Sequence, residues 1–291
     1  MAGGHTNRTV TVRSRKTFGE LVTLPDLGIP LAETALLMAC EEYPHLSLKP
    51  YLDRLDELAE RVDQRRTSGD EPVQTIGVIN DVLFGDEGFS GNTTDYYDPR
   101  NSFLNDVLDR RTGIPITLST IYIEVSRRVG FRVDGVGIPG HFVVKHVDGP
   151  EEIFIDPFHG GSILTRAECR TLALRNHPDE SAETDPEEVE RWLRRVGHRQ
   201  IVIRMLNNLK IIYLKGGAFD KALGMLELMV LAEPLAPVLY KERGMIRLGL
   251  RRYREAAADL ERYLEMAPAA EDREEVGDHV KDIRRIRAMM N

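Results

Sequence analysis

His141 and Asp156 have side chains of types that can do chemistry or serve structure. His141 follows Pro139-Gly140 and opens the apolar run Phe142-Val143-Val144. A histidine at a strand entrance can serve as a general base in a cleft, or as a structural residue at a sheet edge. Asp156 closes the run Ile153-Phe154-Ile155 and precedes Pro157. It can orient an imidazole, or simply start a turn as Asp-Pro often does. His159 adds a second imidazole, but an Asp-x-x-His spacing alone does not specify a metal. No metal or other cofactor is expected. The only cysteines, Cys40 and Cys169, have neither zinc-type nor redox-type spacing and read as buried free thiols. Ser119 is a weaker nucleophile candidate, with the alternative that its hydroxyl bonds a backbone carbonyl.

The elements around these residues can be read from periodicity. Residues 31–66 give two helices, one with Leu31, Ala35, Leu36, Met38 and Ala39, the next with Leu52, Leu55, Leu58, Ala59 and Val62. A third helix is expected over 73–84. Residues 85–100 read as a loop rich in Gly, with Phe89, Tyr96 and Tyr97. Pro115 to Val129 reads as one helix: Pro suits the first helical position, and Gly130 the C′ position. Arg127 and Arg128 complement its negative end. Leu118, Ile121, Tyr122 and Val125 form the expected buried stripe. Strands are expected over 132–138, 141–147 and 152–155, the last two joined by a Gly149-Pro150 turn as an antiparallel hairpin. Residues 176–188 read as a linker ending in a helix start at Asp185-Pro186-Glu187-Glu188. Arg191, Arg194, Arg195 and Arg199 surround Trp192 and His198; such a cluster is a solvated face, a contact for an acidic partner, or a contact with the domain that precedes it.

The last third repeats with a period of 34: Phe219 maps to Tyr253, Ala222 to Ala256, Leu226 to Leu260 and Pro234 to Pro268. That is the length and pattern of tetratricopeptide repeats, with units near 203–236 and 237–270 and a capping helix over 271–290. Two repeats bury little surface, so they either stand as a scaffold or pack on the preceding core.

The run from Gly113-Ile114-Pro115 through Gly130-Phe131, then Pro139-Gly140-His141, then Ile155-Asp156, resembles the core of the transglutaminase-like, papain-related fold. The stretch Tyr96-Tyr97-Asp98-Pro99-Arg100-Asn101-Ser102-Phe103-Leu104-Asn105 is similar to a bacterial subfamily related to the invasion-gene regulator SirB. The resemblance implies an α+β protein: a helical N-terminal region, a papain-like core with a small antiparallel sheet, then an all-α tetratricopeptide-repeat solenoid. The expected division is a flexible start over 1–20, a transglutaminase-like domain over 21–178 and a repeat domain over 179–291. In that family a Cys opens the helix, where the dipole and an imidazolium lower its pKa; the His shuttles the proton and the Asp orients it. His141 and Asp156 match, but the Cys position, counted back from Gly130, falls on Pro115. Asn105 is a candidate oxyanion donor, and Arg111, Tyr97 and Asn92 are candidate binding residues of the signature loop.

The bulk properties narrow the partners. A net charge of −8 argues against direct nucleic-acid binding through phosphate neutralisation. No apolar run approaches the roughly 20 residues that span a bilayer. No secretory signal is read at the start, and the cysteine usage fits the cytoplasm. With proline in the nucleophile's place, the first expectation is a non-catalytic, regulatory protein that binds a protein or peptide partner. The alternative is a hydrolase or acyltransferase of amide bonds that uses His141 and Asp156 with a non-Cys nucleophile. A role in gene regulation, as the subfamily suggests, would act through protein contacts. Oligomeric state is not readable from the chain.

Overall fold

The computed structural model describes residues 3–67, 69–148, 152–175 and 185–290. Helices α1 (Gly3–Val22), α2 (Leu31–Ala39), α3 (Lys49–Arg65) and α4 (Pro72–Asn80) lead in. Strand β1 (Ser90–Gly91), helix α5 (Leu104–Arg110) and strand β2 (Thr112–Gly113) frame the signature loop, with β1 and β2 paired in parallel. Helix α6 (Pro115–Arg128) precedes strands β3 (Val133–Val136), β4 (Val143–His146), β5 (Ile153–Asp156) and β6 (Ser162–Leu164). Helices α7 (Arg166–Arg175) and α8 (Pro186–Trp192) and strand β7 (Arg195–Val196) follow. The remainder is helical: α9 (His198–Lys215), α10 (Phe219–Ala232), α11 (Pro237–Gly249), α12 (Tyr253–Met266) and α13 (Arg273–Met290). The sheet is antiparallel throughout, in the order β6-β5-β4-β3-β7.

Several boundaries differ from the sequence reading. A flexible start over 1–20 is what the polar N-terminus predicts; instead α1 runs to Val22 and buries Phe18 and Val22 in the main core. Its Arg15 donates to Glu41 and pairs with Glu227, so α1 is tied to α10. The helix expected over 73–84 stops at Asn80 and passes into a wider π turn, Asp81–Asp86. There Asn80 turns its amide to the Gly161 carbonyl at 2.8 Å, beside the strand that supplies Asp156. Strands β6 and β7 are absent from the sequence reading because two or three residues give no period to detect. The Gly149-Pro150 turn and residues 176–184 of the expected linker lie outside the described residues. Asp185 caps α8 through the Glu187 N–H, as its type predicts.

Helix α6 is the hub. Its expected stripe is too narrow: every residue from Pro115 to Ser126 is buried. A helix covered on all sides has no solvent face for polar groups, and several of them find internal partners, although Tyr122 Oη and Ser126 Oγ have none among the described residues. Thr117 Oγ1 donates to the Asn101 carbonyl at 2.7 Å, Thr120 to the Ile116 carbonyl at 2.8 Å, and Glu124 pairs with Arg127 and Arg128. Gly113, just before the helix, has no room for a side chain: a Cβ would fall 2.8 Å from Thr117 Oγ1 and 2.9 Å from Val107 Cγ1.

One apolar core runs from Phe18 to Leu239, so α9 and α10 share it with α2, α6 and the sheet. A smaller cluster closes the end, with Ala256, Leu260, Val276 and Ile283. The 34-residue period is visible in three dimensions. Ala222 and Leu226, like Ala256 and Leu260, are fully buried. Gly217 (φ +71°) and Arg251 (φ +58°) occupy the same left-handed turn one period apart. The repeats therefore pack on the preceding core. Among the described residues, no helix is long and apolar enough to cross a membrane.

Candidate functional site

Three short devices bring His141 and Asp156 together. Gly140 takes φ +63° in the turn between β3 and β4, a left-handed conformation that suits glycine, and delivers His141 to the head of β4. Pairing of β4 with β5 sets Asp156 at the end of the neighbouring strand. Asp156 then caps the turn Pro157–His159, its Oδ1 accepting from the Phe158 N–H at 3.0 Å. Its other oxygen, Oδ2, lies 2.8 Å from His141 Nε2 and 2.8 Å from His159 Nδ1. His141 is 8% exposed and Asp156 2%.

The protonation pattern follows from the carboxylate. Burial would push the Asp156 carboxyl up, but its hydrogen bonds and charge interactions with His141 and His159 outweigh this and hold it below the usual carboxylate range. An ionised carboxylate only accepts, so both imidazoles must donate to it. The proton of neutral His141 therefore sits on Nε2, leaving Nδ1 with a free lone pair. Phe158 stands edge-on to His141, with centroids 5.8 Å apart. It fits only because position 91 is glycine: a Cβ there would lie 2.5 Å from the Phe158 ring.

His141 opens onto a cleft of about 380 Å³ lined by Tyr96, Pro115, Ile116, Gly140, Phe142, Arg204, Asn207 and Asn208. Pro115 thus shares the cleft with His141. The other nucleophile candidates do not. Ser119 is fully buried, and its hydroxyl reaches the Phe142 carbonyl at 3.4 Å. Cys169 lies in a separate apolar cluster, where burial pushes its thiol up to about 12; burial pushes Cys40 up to about 11. The Tyr96 phenol, also raised by burial, is the one hydroxyl lining the cleft.

The signature-loop residues are placed elsewhere. Asn92 braces the loop: its Oδ1 accepts from the Thr94 and Asp95 N–H groups, and its amide reaches Asn101. Asn105 is buried, with no protein partner for its Oδ1 among the described residues, and it does not line the cleft. Arg111 adopts φ +58° at the end of α5 and pairs with Glu87 at 3.4 Å. Tyr97 is exposed beneath the Lys215 ammonium, 4.6 Å from its ring centroid. The basic cluster near α8 is partly structural: Arg199 donates to the Val22 carbonyl at the end of α1, and His198 Nδ1 meets the Ile29 carbonyl at 2.7 Å.

Arg204, Asn207 and Asn208 are site residues that the sequence reading misses, yet their signal is legible. They fall at i, i+3 and i+4 on a helix whose neighbours Ile201, Val202, Met205, Leu206 and Leu209 are buried. Such spacing gathers polar groups on one face.

Comparison with known proteins agrees with this layout. The family model described as the transglutaminase-like superfamily matches residues 49–207, and a tetratricopeptide repeat model matches 209–291. The UPF0162 protein of Xylella fastidiosa (strain Temecula1) is 36% identical over 271 residues, covering 91% of this chain and 94% of that protein. The UPF0162 protein of Vibrio cholerae is 28% identical over 188 residues, covering 64% and 67%. Human F-box only protein 21 is 37% identical over 107 residues, which is 34% of this chain and 17% of that protein.

Proposed function

This chain belongs to the transglutaminase-like superfamily, alongside the UPF0162 proteins, and from that premise we propose that it hydrolyses amide bonds with water as the nucleophile. The observation that supports this most is the buried 2.8 Å contact between His141 and Asp156, opening on a cleft that Pro115 also lines. Proline fills the nucleophile's position without filling its role, and the cleft is roomy enough to admit water beside His141. His141 Nδ1 takes a proton from that water as its oxygen bonds to the acyl carbon. Asp156 stabilises the imidazolium and keeps the ring in one tautomer. When the C–N bond breaks, the proton passes from Nδ1 to the leaving nitrogen, giving a carboxylic acid and an amine. Ile116 sits in the first turn of α6, where backbone N–H groups lack intrahelical acceptors and the helix dipole is positive; this is where a developing oxyanion would be received.

This reading is favoured over a purely binding role because a cleft that only binds does not need an imidazole held in one tautomer by a buried carboxylate. The repeats add a surface of a type that generally mediates protein contacts, and a protein partner there is compatible with hydrolysis. The finer kinship with the SirB subfamily rests on the loop from Tyr96 to Asn105 and belongs to the same proposal. To test hydrolysis, purified protein is incubated with panels of N-acyl amino acids and short peptides, and products are followed by mass spectrometry. Turnover of one class by the wild type, reduced by about 100-fold or more in His141→Gln and Asp156→Asn, is expected. A wild type inert across all classes, or turnover untouched by both substitutions, would sink the proposal.

A second reading has its own observation. Ligand atoms of His141, Asp156 and His159 lie within 4.8 Å of one another, two imidazoles and a carboxylate of the kind that hold a catalytic divalent cation. Under it, His141 would be a ligand and the cation would activate the water. Metal content after purification, and a zinc-dependent rise in melting temperature lost in His159→Asn, separate the two.

A further inference from the structure

Arg204 is a half-buried cation without a carboxylate counterion among the described residues. Its Nη2 donates to the Ile138 and His141 carbonyls, both at 3.3 Å, and its guanidinium lies 5.3 Å from the centroid of the Phe142 ring. No carboxylate among the described residues pairs with it, and its Nε and Nη1 groups take no protein acceptor. Arginines 15, 54, 61, 128, 243 and 247 all meet acids, whereas the Arg204 guanidinium, like those of Arg66 and Arg199, donates to backbone carbonyls, and of these three Arg204 is the one that lines the cleft. Burial lowers Arg204 from its ordinary value, with the Tyr96 phenol the only opposing influence. The fold also makes room for it: Gly137 on the adjoining turn would put a Cβ 2.1 Å from Nη1. Around it, Asn207 and Asn208 line the same cleft, α6 points its positive end in, and no acidic residue contributes to the lining.

A guanidinium held to the backbone of the general base, beside two neutral amides, matches one planar negative charge. A phosphate dianion would call for more than one cation. We propose that Arg204, Asn207 and Asn208 form a carboxylate-binding subsite, so that the substrate is an acyl compound bearing a free carboxylate close to the scissile amide. The inference rests on the hydrolytic reading for the word substrate, but the subsite itself makes a binding claim that can be tested without turnover. The carboxylate can come from a peptide C-terminus or from an acidic side chain.

The test is binding of small probes to the full chain, followed by the Arg204 Nε–H resonance in arginine-labelled protein. The probes are N-acetyl-alanyl-alanine, its C-terminal amide, and the α-amide of N-acetylglutamate. A preference of about 10-fold or more for a free carboxylate over the neutral amide is expected, the size of a lost charge-assisted hydrogen bond. The two carboxylate probes distinguish a chain terminus from an acidic side chain. Arg204→Met should erase the preference. Gly137→Ala should erase it while leaving Arg204 in the chain, because the new methyl displaces the guanidinium; this variant covers the case in which Arg204→Met fails to fold. Asp156→Asn should keep the preference, since it alters the base and not the subsite. Equal binding of acid and amide, no binding of either acid at millimolar concentration, or a preference that survives both subsite variants overturns the proposal. Carboxylate preference without any turnover would sink hydrolysis alone; turnover indifferent to Arg204→Met would sink the subsite alone.

Discussion

Asp156→Asn should separate the orienting role of this carboxylate from its bulk. Asparagine has nearly the same shape, so no cavity opens. Its carbonyl oxygen can keep the bond from the Phe158 N–H, which leaves the amide nitrogen where Oδ2 now receives two imidazoles. An amide nitrogen donates, so His141 must answer with a lone pair on Nε2 and move its proton to Nδ1. A charge-assisted bond worth about 1.5–3 kcal/mol becomes a neutral one worth about 1 kcal/mol, a loss of about 1–2 kcal/mol at His141. His159 is 60% exposed, so solvent screening leaves its share to a few tenths at most. For a chain this long, about 2–6 °C of melting temperature should be lost. The loss depends on pH with a definite sign. A depressed carboxyl stabilises the fold fully above its unfolded value near 3.8, and that stabilisation drains away as pH falls through the lower folded value. The gap between wild type and variant should therefore be full at neutral pH and shrink below pH 3.8. Thermal melts across that range measure it, and ¹⁵N shifts of the His141 ring report the tautomer. An unchanged melting temperature with the proton still on Nε2 would refute the reasoning.

Other substitutions probe separate links. Pro115→Cys places a thiol at the first turn of α6 in the cleft that His141 also lines, where the helix dipole and imidazole should lower its pKa; iodoacetamide at mildly acidic pH should modify it well before Cys40 or Cys169, and His141→Gln should slow the reaction. Arg251→Gly should raise stability by about 0.5–1 kcal/mol in urea melts, because arginine there holds φ +58° where the preceding repeat has Gly217. Gly91→Ala should cost about 1–3 kcal/mol, since its methyl would sit 2.5 Å from the Phe158 ring and push that ring from His141; unchanged stability with an unmoved His141 resonance would count against the packing argument.

Much of the fold was legible because its signals are periodic. The 3.6-residue pattern marks α2, α3 and α6, the 34-residue pattern marks α10 and α12, and Pro115 with Gly130 brackets α6. The site was half legible. His141 and Asp156 could be picked out because their order after the helix resembles the family's His and Asp; by type alone each reads as a structural residue. The cleft's other wall escaped notice because it comes from α9, sixty-odd residues further along, and sequence spacing says nothing about which helix covers a sheet. The signature-loop residues take other places. Asn92 braces a turn, Arg111 pairs with Glu87 and lines a separate cleft with Tyr51 and Asp109, and the neighbour Tyr96 reaches the cleft of His141. Helix α6 was read too narrowly because periodicity presumes one wet face, and this helix has none.

The position of α9 also bears on how the chain comes into being. A protein is made from its first residue onward, and the sheet is complete in sequence at Val196. At that moment Gly135 still lacks Ile201, whose side chain would stand 3.1 Å from a Cβ there, and Thr120 still lacks Met205. The apolar surface beneath α9 remains wet until some twenty more residues have been added. The junction between the two family matches, near residue 208, falls within this helix. A chain cut there would lose the C-terminal part of the helix that roofs its sheet, while the cleft residues Arg204 and Asn207 would stay with the sheet. The boundary between the two family matches is therefore not a boundary in the fold.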